Sequence, residues 1–151
     1  CASVPFQVDI TKLATLSGLK RDTIINYLSY LDKAKLIRLL YSDLKNIKRM
    51  QKPDKIYIDN TNLLNAWATA PIQIGTIRET FVANQLSVNH VIEFRKTNGD
   101  FLVDSKYTFE VGGDDKDFQQ IANVADSFIL ADDMETAIGK KLPIWVVGFD
   151  Y

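Results

Sequence analysis

Two carboxylates, Asp100 and Glu110, stand at the two ends of the stretch DFLVDSKYTFE. Brought face to face, they would hold a shared proton, be screened by water or take a cation between them. Hydrophobic alternation is what brings them together. Phe101, Val103, Tyr107, Phe109 and Val111 occupy alternate positions, so they share one face of a pleated hairpin. A two-residue loop at Ser105 and Lys106 would set Phe101 against Glu110. A three-residue loop of Asp104, Ser105 and Lys106 sets Phe101 against Phe109 and Val103 against Tyr107, and this register keeps the apolar side chains in company. It also places Asp100 opposite Glu110, on the face away from the aromatics, with Cβ atoms roughly 5 Å apart. The loop lacks the Gly that three-residue hairpins favour at their left-handed position.

The rest of the chain must supply the frame. Its 151 residues suffice for one ordinary core or two small ones, and 46% hydrophobic with 25% charged residues is the balance of a soluble globular protein. No apolar run approaches the roughly 20 residues of a membrane span, and no signal peptide opens the chain. The single cysteine, Cys1, excludes an internal disulfide framework, so a reducing compartment, the cytoplasm, is expected. A start at Cys1 that runs at once into a patterned segment reads as a fragment of something longer. Charge divides the sequence. Residues 1–60 carry 11 Lys and Arg against 6 Asp and Glu, and residues 61–151 carry 7 against 13. The first part suits a polyanion, whereas the second repels one unless metal ions intervene.

In the first part, Asp9 is placed to cap a short helix over 10–16 that Gly18 ends. A second helix runs to about Ala34 with Ile24, Ile25, Leu28 and Leu31 at helical spacing. Strand-like runs follow at LIRLLYS, 36–42, and KIYID, 55–59, separated by a basic stretch that includes Lys45, Lys48, Arg49 and Lys52. The phrase LSGLKRDTIINYLSYLDKAKLI resembles a winged helix-turn-helix domain. That resemblance implies a second helix entering the DNA major groove, with Lys20, Arg21, Thr23 and Asn26 near the bases and Lys48, Arg49 and Lys52 of the wing on phosphates.

In the second part, NTNLLNAWA gives one or two helical turns before Pro71. Residues 74–86 form an amphipathic helix whose Ile77, Phe81, Val82 and Leu86 face a core. VIEFR is a strand, and Asn98-Gly99 is a strong turn signal leading into the hairpin. Asp115 is placed to cap a helix over 116–124, followed by strands at SFILA, 127–131, and PIWVVGF, 143–149. The order helix, three strands, helix, strand, with carboxylates on the first helix and the second and third strands, resembles the restriction-endonuclease-like superfamily. The resemblance implies an Asp on the second strand and a Glu-x-Lys on the third, which together bind Mg²⁺ and place the attacking water. By motif position Asp100 is the Asp, Glu110 the Glu and Glu79 the acidic residue of the first helix. Gly112 stands where Lys is expected, and loss of that cation would cost transition-state stabilisation. Lys116 is the candidate replacement, in competition with Asp114, Asp115 and Asp117 around it.

Taken together, PDKIYIDNTNLLNAW, IRETFVANQL, NGDFLVD, YTFEVGG and LPIWVVGFDY resemble the C-terminal region of a large bacterial and archaeal family of AAA-type ATPases. Members carry a P-loop module followed by a domain of unknown function with a nuclease-like core. No G-x-x-x-x-G-K-[ST] motif occurs here, so ATP would enter only through a module ahead of Cys1. The expected architecture is therefore mixed α+β: a winged helix over 1–60, then a restriction-endonuclease-like αβββαβ domain over 61–151. The expected partners are DNA and the chain's own ATPase module, with no membrane, and the oligomeric state is open. Three functions follow: a DNA- or partner-engaging region with a degenerate nuclease core, a Mg²⁺-dependent endonuclease using Asp100 and Glu110 as metal ligands, or a scaffold that binds only protein. The remaining chemistry-bearing residues read plainly. His90 belongs to a polar surface turn, Gly112-Gly113 to a tight strand-to-helix turn, and Trp67 and Trp145 to the core.

Overall fold

The computed structural model describes residues 6–7, 9–42 and 52–149, the first two as backbone only. It is a mixed α+β protein with two sheets. The first sheet is antiparallel, in the order β1 (Phe6–Gln7), β3 (Lys55–Ile58), β2 (Ile37–Leu40). Two helices precede β2. In α1 (Ile10–Ser17) the Asp9 carboxylate accepts from the Lys12 amide at 3.0 Å, and Gly18 closes the helix at φ 68°, where a side chain would be strained. After a short turn, α2 (Arg21–Lys33) buries Ile24 and Ile25 against Ile10, Ile37, Ile56 and Ile58. The two-residue strand β1 escaped the sequence reading, since two residues carry no period.

The second sheet runs β4 (Ile92–Phe94), β5 (Phe101–Val103), β6 (Tyr107–Gly112), β7 (Ser127–Ala131), β8 (Lys141–Pro143). The first three strands are antiparallel, and the β6–β7 and β7–β8 pairs are parallel. Between the sheets lie α3 (Thr61–Trp67), capped by the Asn60 side chain, and α4 (Ile74–Leu86). Val82, Ala83 and Leu86 of α4 pack on Phe101, Val103, Val111 and Leu130, and Leu40 and Tyr57 of the first sheet join the same cluster. The sheets also meet through the Phe94 amide, which donates to the Tyr41 carbonyl at 2.8 Å. Among the described residues, no helix is long and apolar enough to cross a membrane.

Three expectations need correction. Residues 113–126 connect β6 to β7 by successive turns, not by an α-helix over 116–124. Ile121 and Val124 donate three residues back, to Phe118 and Ile121, while the Ser127 hydroxyl takes the Ile121 and Val124 carbonyls. Those carbonyls are thereby satisfied without a helical ladder. PIWVVGF is not a strand either: β8 ends at Pro143 and Ile144–Phe149 coils as a 3-10 helix. Its buried residues, Ile144 and Val147, are three apart, the repeat of that helix. Finally, Trp67 and Trp145 are 40% and 49% exposed and are not core residues.

Candidate functional site

The hairpin register pairs Phe101 with Phe109 and Val103 with Tyr107. One step further, the Asp100 amide donates to the Phe109 carbonyl at 2.8 Å, and the Asp100 carboxylate accepts from the Val111 amide at 2.8 Å. Asp100 therefore lies across from Glu110. The loop solves its missing Gly by strain: Asp104 and Ser105 both adopt positive φ, 52° and 56°. Asp104 compensates through its side chain, accepting from the Val91 amide at 3.0 Å and pairing with His90 Nδ1 at 2.6 Å. His90 is thus occupied in fastening the hairpin loop to the turn after α4.

Glu79 projects from α4 toward β3, where its Oε2 receives Lys55 Nζ at 2.8 Å and the Tyr57 hydroxyl at 2.7 Å. Lys55 is itself held between two rings, 5.3 Å from the Tyr57 centroid and 5.1 Å from that of Phe94. On β6, Glu110 is 2% exposed. A carboxylate so deep needs partners, and it has them. Lys116 Nζ lies 2.5 Å from its Oε1, and the Gln120 amide nitrogen, in the orientation its neighbours require, donates to both oxygens at 2.8 and 3.1 Å.

Lys116 reaches Glu110 by lying over Gly112. A Cβ at that glycine would come within 2.8 Å of Lys116 Cβ and Cγ and 3.0 Å of Cδ, closer than such atoms approach. The absent motif side chain and the incoming lysine thus occupy the same space.

The electrostatics centre on Asp100. Burial, then the Glu79 and Glu110 charges, push its carboxyl up to about 6, against the pull of the Val111 amide and Lys55. The bond to Glu110 raises the Lys116 ammonium, with Asp100 and Asp117 adding to it, so Lys116 stays charged. Burial and the Glu79 charge raise the Tyr57 hydroxyl, which remains a proton donor. Three carboxylates and two lysines leave an excess of one negative charge.

Among the described residues, no group of three or more His, Cys, Asp or Glu side chains is arranged to hold a metal. The donor set at Asp100 and Glu110 nevertheless fits Mg²⁺, which commonly takes one or two carboxylates and completes its shell with water. The raised Asp100 carboxyl marks the place where a cation would relieve repulsion. Glu79, already bound by Lys55 and Tyr57, contributes charge and not a ligand.

The four residues assigned from the motif, Glu79, Asp100, Glu110 and Lys116, lie together. Lys55, Tyr57 and Gln120 were missed. The first two had a signal: Lys55, Tyr57 and Asp59 alternate with Ile56 and Ile58, a polar stripe on a strand. Gln120 had none, because it reaches the site from an irregular turn. The proposed DNA-facing residues form a separate group. Lys20, Arg21 and Asn26 are exposed at the start of α2, and Thr23 is half-buried. The same helix exposes Tyr27 and Tyr30. Lys52 is exposed beside β3, while Lys45, Lys48 and Arg49 lie outside the described residues. Comparison with protein-family models, curated proteins and solved structures returned no match to this chain.

Proposed function

We propose that this chain is a nucleic-acid-engaging module with a metal-dependent nuclease-type site. In this reading α1, the turn and α2 with the β1-β3-β2 sheet form a winged helix. The α4 and five-stranded-sheet part is a restriction-endonuclease-like core whose crossover is built from turns. We include in the proposal the assignment to the C-terminal region of an AAA-type ATPase, which rests on the sequence phrases alone. The observation that carries the nuclease reading is Lys116 lying over Gly112 onto Glu110, beside Asp100. It returns a cation to the position left without one.

The roles follow from the chemistry. Asp100 and Glu110 would hold Mg²⁺, which when bound neutralises charge on a phosphodiester and activates water. Lys116 donates from beside Glu110 and orients the attacking water. Glu79, fixed by Lys55 and Tyr57, keeps the surroundings of Asp100 negative. Lys20 and Arg21 contact the phosphates or bases of bound DNA.

A second reading, a core that binds nucleic acid without cutting it, is favoured by the burial of Glu110 and by the occupation of both its oxygens. Supercoiled plasmid separates the two. The nuclease reading expects Mg²⁺- or Mn²⁺-dependent nicking that Glu110→Ala abolishes, and plasmid left intact by every metal and DNA form contradicts it. Retained binding that weakens with salt and with Arg21→Ala then leaves the second reading standing.

A further inference from the structure

We infer that a cavity beside β3 and β4 is a nucleotide subsite that accepts an unpaired base and its phosphate from a single strand of nucleic acid. The inference deepens the nuclease reading and rests on it for the direction in which the strand runs. The cavity, about 310 Å³, is lined by Lys52, Asp54, Phe94 and Lys96. Two ammonium groups and an aromatic ring are the groups that take a phosphate and a base.

Each lining residue is held for that task. The Asp54 carboxylate spends Oδ2 on the Ser42 amide and hydroxyl, at 2.8 and 2.9 Å. Its Oδ1 holds Lys96 Nζ at 3.2 Å. Burial works against the charge, but the Ser42 and Lys96 bonds keep this carboxyl below its ordinary value. Asp54 is therefore a bracket for Lys96, whose side chain stays 64% exposed at the rim. Lys52 brings a second exposed ammonium from the first sheet's side.

Phe94 ties the cavity to the carboxylate site. Lys55 Nζ lies 5.1 Å from the Phe94 centroid and 2.8 Å from Glu79 Oε2, and Lys55 acts in turn on Asp100. A strand seated on Lys52, Lys96 and Phe94 would continue past Lys55 toward Asp100. The concave shape selects the form of nucleic acid. In a duplex the bases are stacked and paired and cannot present a face to Phe94, whereas a single strand splays its bases onto aromatic side chains.

The test is fluorescence anisotropy with a labelled 12-nucleotide oligo-dT in EDTA, against a duplex of the same length. The parent chain is expected to prefer the single strand. Lys52→Ala combined with Lys96→Ala should weaken that binding at least tenfold and lower the slope of log affinity against log salt by about 1.4, or ~0.7 per lost phosphate contact. Phe94→Leu should weaken single-strand binding about tenfold and leave duplex binding unchanged. Phe94 also packs on the main core, so the lysine pair, which lies on the surface, carries the test if the Phe94 variant unfolds. Unchanged single-strand affinity in the lysine variant, or a parent that binds duplex as tightly, overturns the inference. Competition by dTMP at the same concentration as oligo-dT overturns it too, in favour of a free nucleotide. Binding is read without metal, so a subsite that behaves as expected in a protein that never nicks plasmid defeats the nuclease reading alone.

Discussion

The two lysine-carboxylate pairs that flank Asp100 are built in opposite ways. Lys55 and Glu79 come from a strand and a helix, their side chains are 15% and 20% exposed, and a buried tyrosine and two aromatic rings fix the lysine. Lys116 comes from a turn-built crossover and is 30% exposed, while its partner Glu110 is almost fully buried. The first pair is a rigid source of field. The second joins a fixed carboxylate to a lysine that can let go, and a cation arriving at Glu110 would need that lysine to do so.

If that contrast is right, the largest effect belongs to the movable pair. Lys116→Ala is expected to reduce plasmid nicking by ~100-fold or more. Gly112→Ala should come close to it by pushing Lys116 off Glu110, while changing stability by no more than about 1 kcal/mol. Moving the lysine back, with Gly112→Lys and Lys116→Ala together, should recover part of the loss. A double variant no better than Lys116→Ala alone would mean that Lys116 acts through something other than this space.

Asp100 reports next, through pH. Its carboxyl titrates at about 6 in the fold and at 3.8 when unfolded. The folded state therefore holds the proton more tightly, and the stability this gives is complete below pH 4 and lost as pH rises through 6. Asp100→Asn should be more stable than the parent by ~2 kcal/mol at pH 7.5 and no different at pH 4, measured by urea unfolding. Equal midpoints at both pH values would place Asp100 outside the field of Glu79 and Glu110.

The rigid pair should answer in stability more than in rate. Tyr57→Phe removes a hydroxyl bonded to an ionised carboxylate in a fully buried setting, and a loss of about 1.5 kcal/mol is expected in the same unfolding assay. The smallest effect lies in the hairpin loop. Ser105→Gly relieves a positive φ and should gain up to about 0.5–1 kcal/mol without altering nicking, since the register does not depend on it.

Much of this site could be read from residue order because it hangs on a strand period. Phe101, Val103, Phe109 and Val111 admit one alignment that keeps them together, and that alignment carries Asp100 to Glu110. Ile74–Leu86 was legible for a similar reason, with its apolar side chains at helical spacing. The crossover was not, because its bonds run to the Ser127 hydroxyl, a residue beyond its own window. The C-terminal run was misread because seven apolar residues in a row fit several periods, and contact with α4 chose between them. Lys55 and Tyr57 were visible as strand residues but not as partners of Glu79, since no local pattern reveals how two sheets pack.

The central claim is that Asp100 and Glu110 form one cation site that Lys116 covers. Calorimetric titration of Mn²⁺ into the parent protein tests it most directly, with Asp100→Asn and Lys116→Ala alongside. The account predicts one bound ion in the parent, none in Asp100→Asn, and tighter binding in Lys116→Ala, where Glu110 no longer carries its ammonium. No heat in the parent and in Lys116→Ala alike, or the same heat in Asp100→Asn as in the parent, would contradict it.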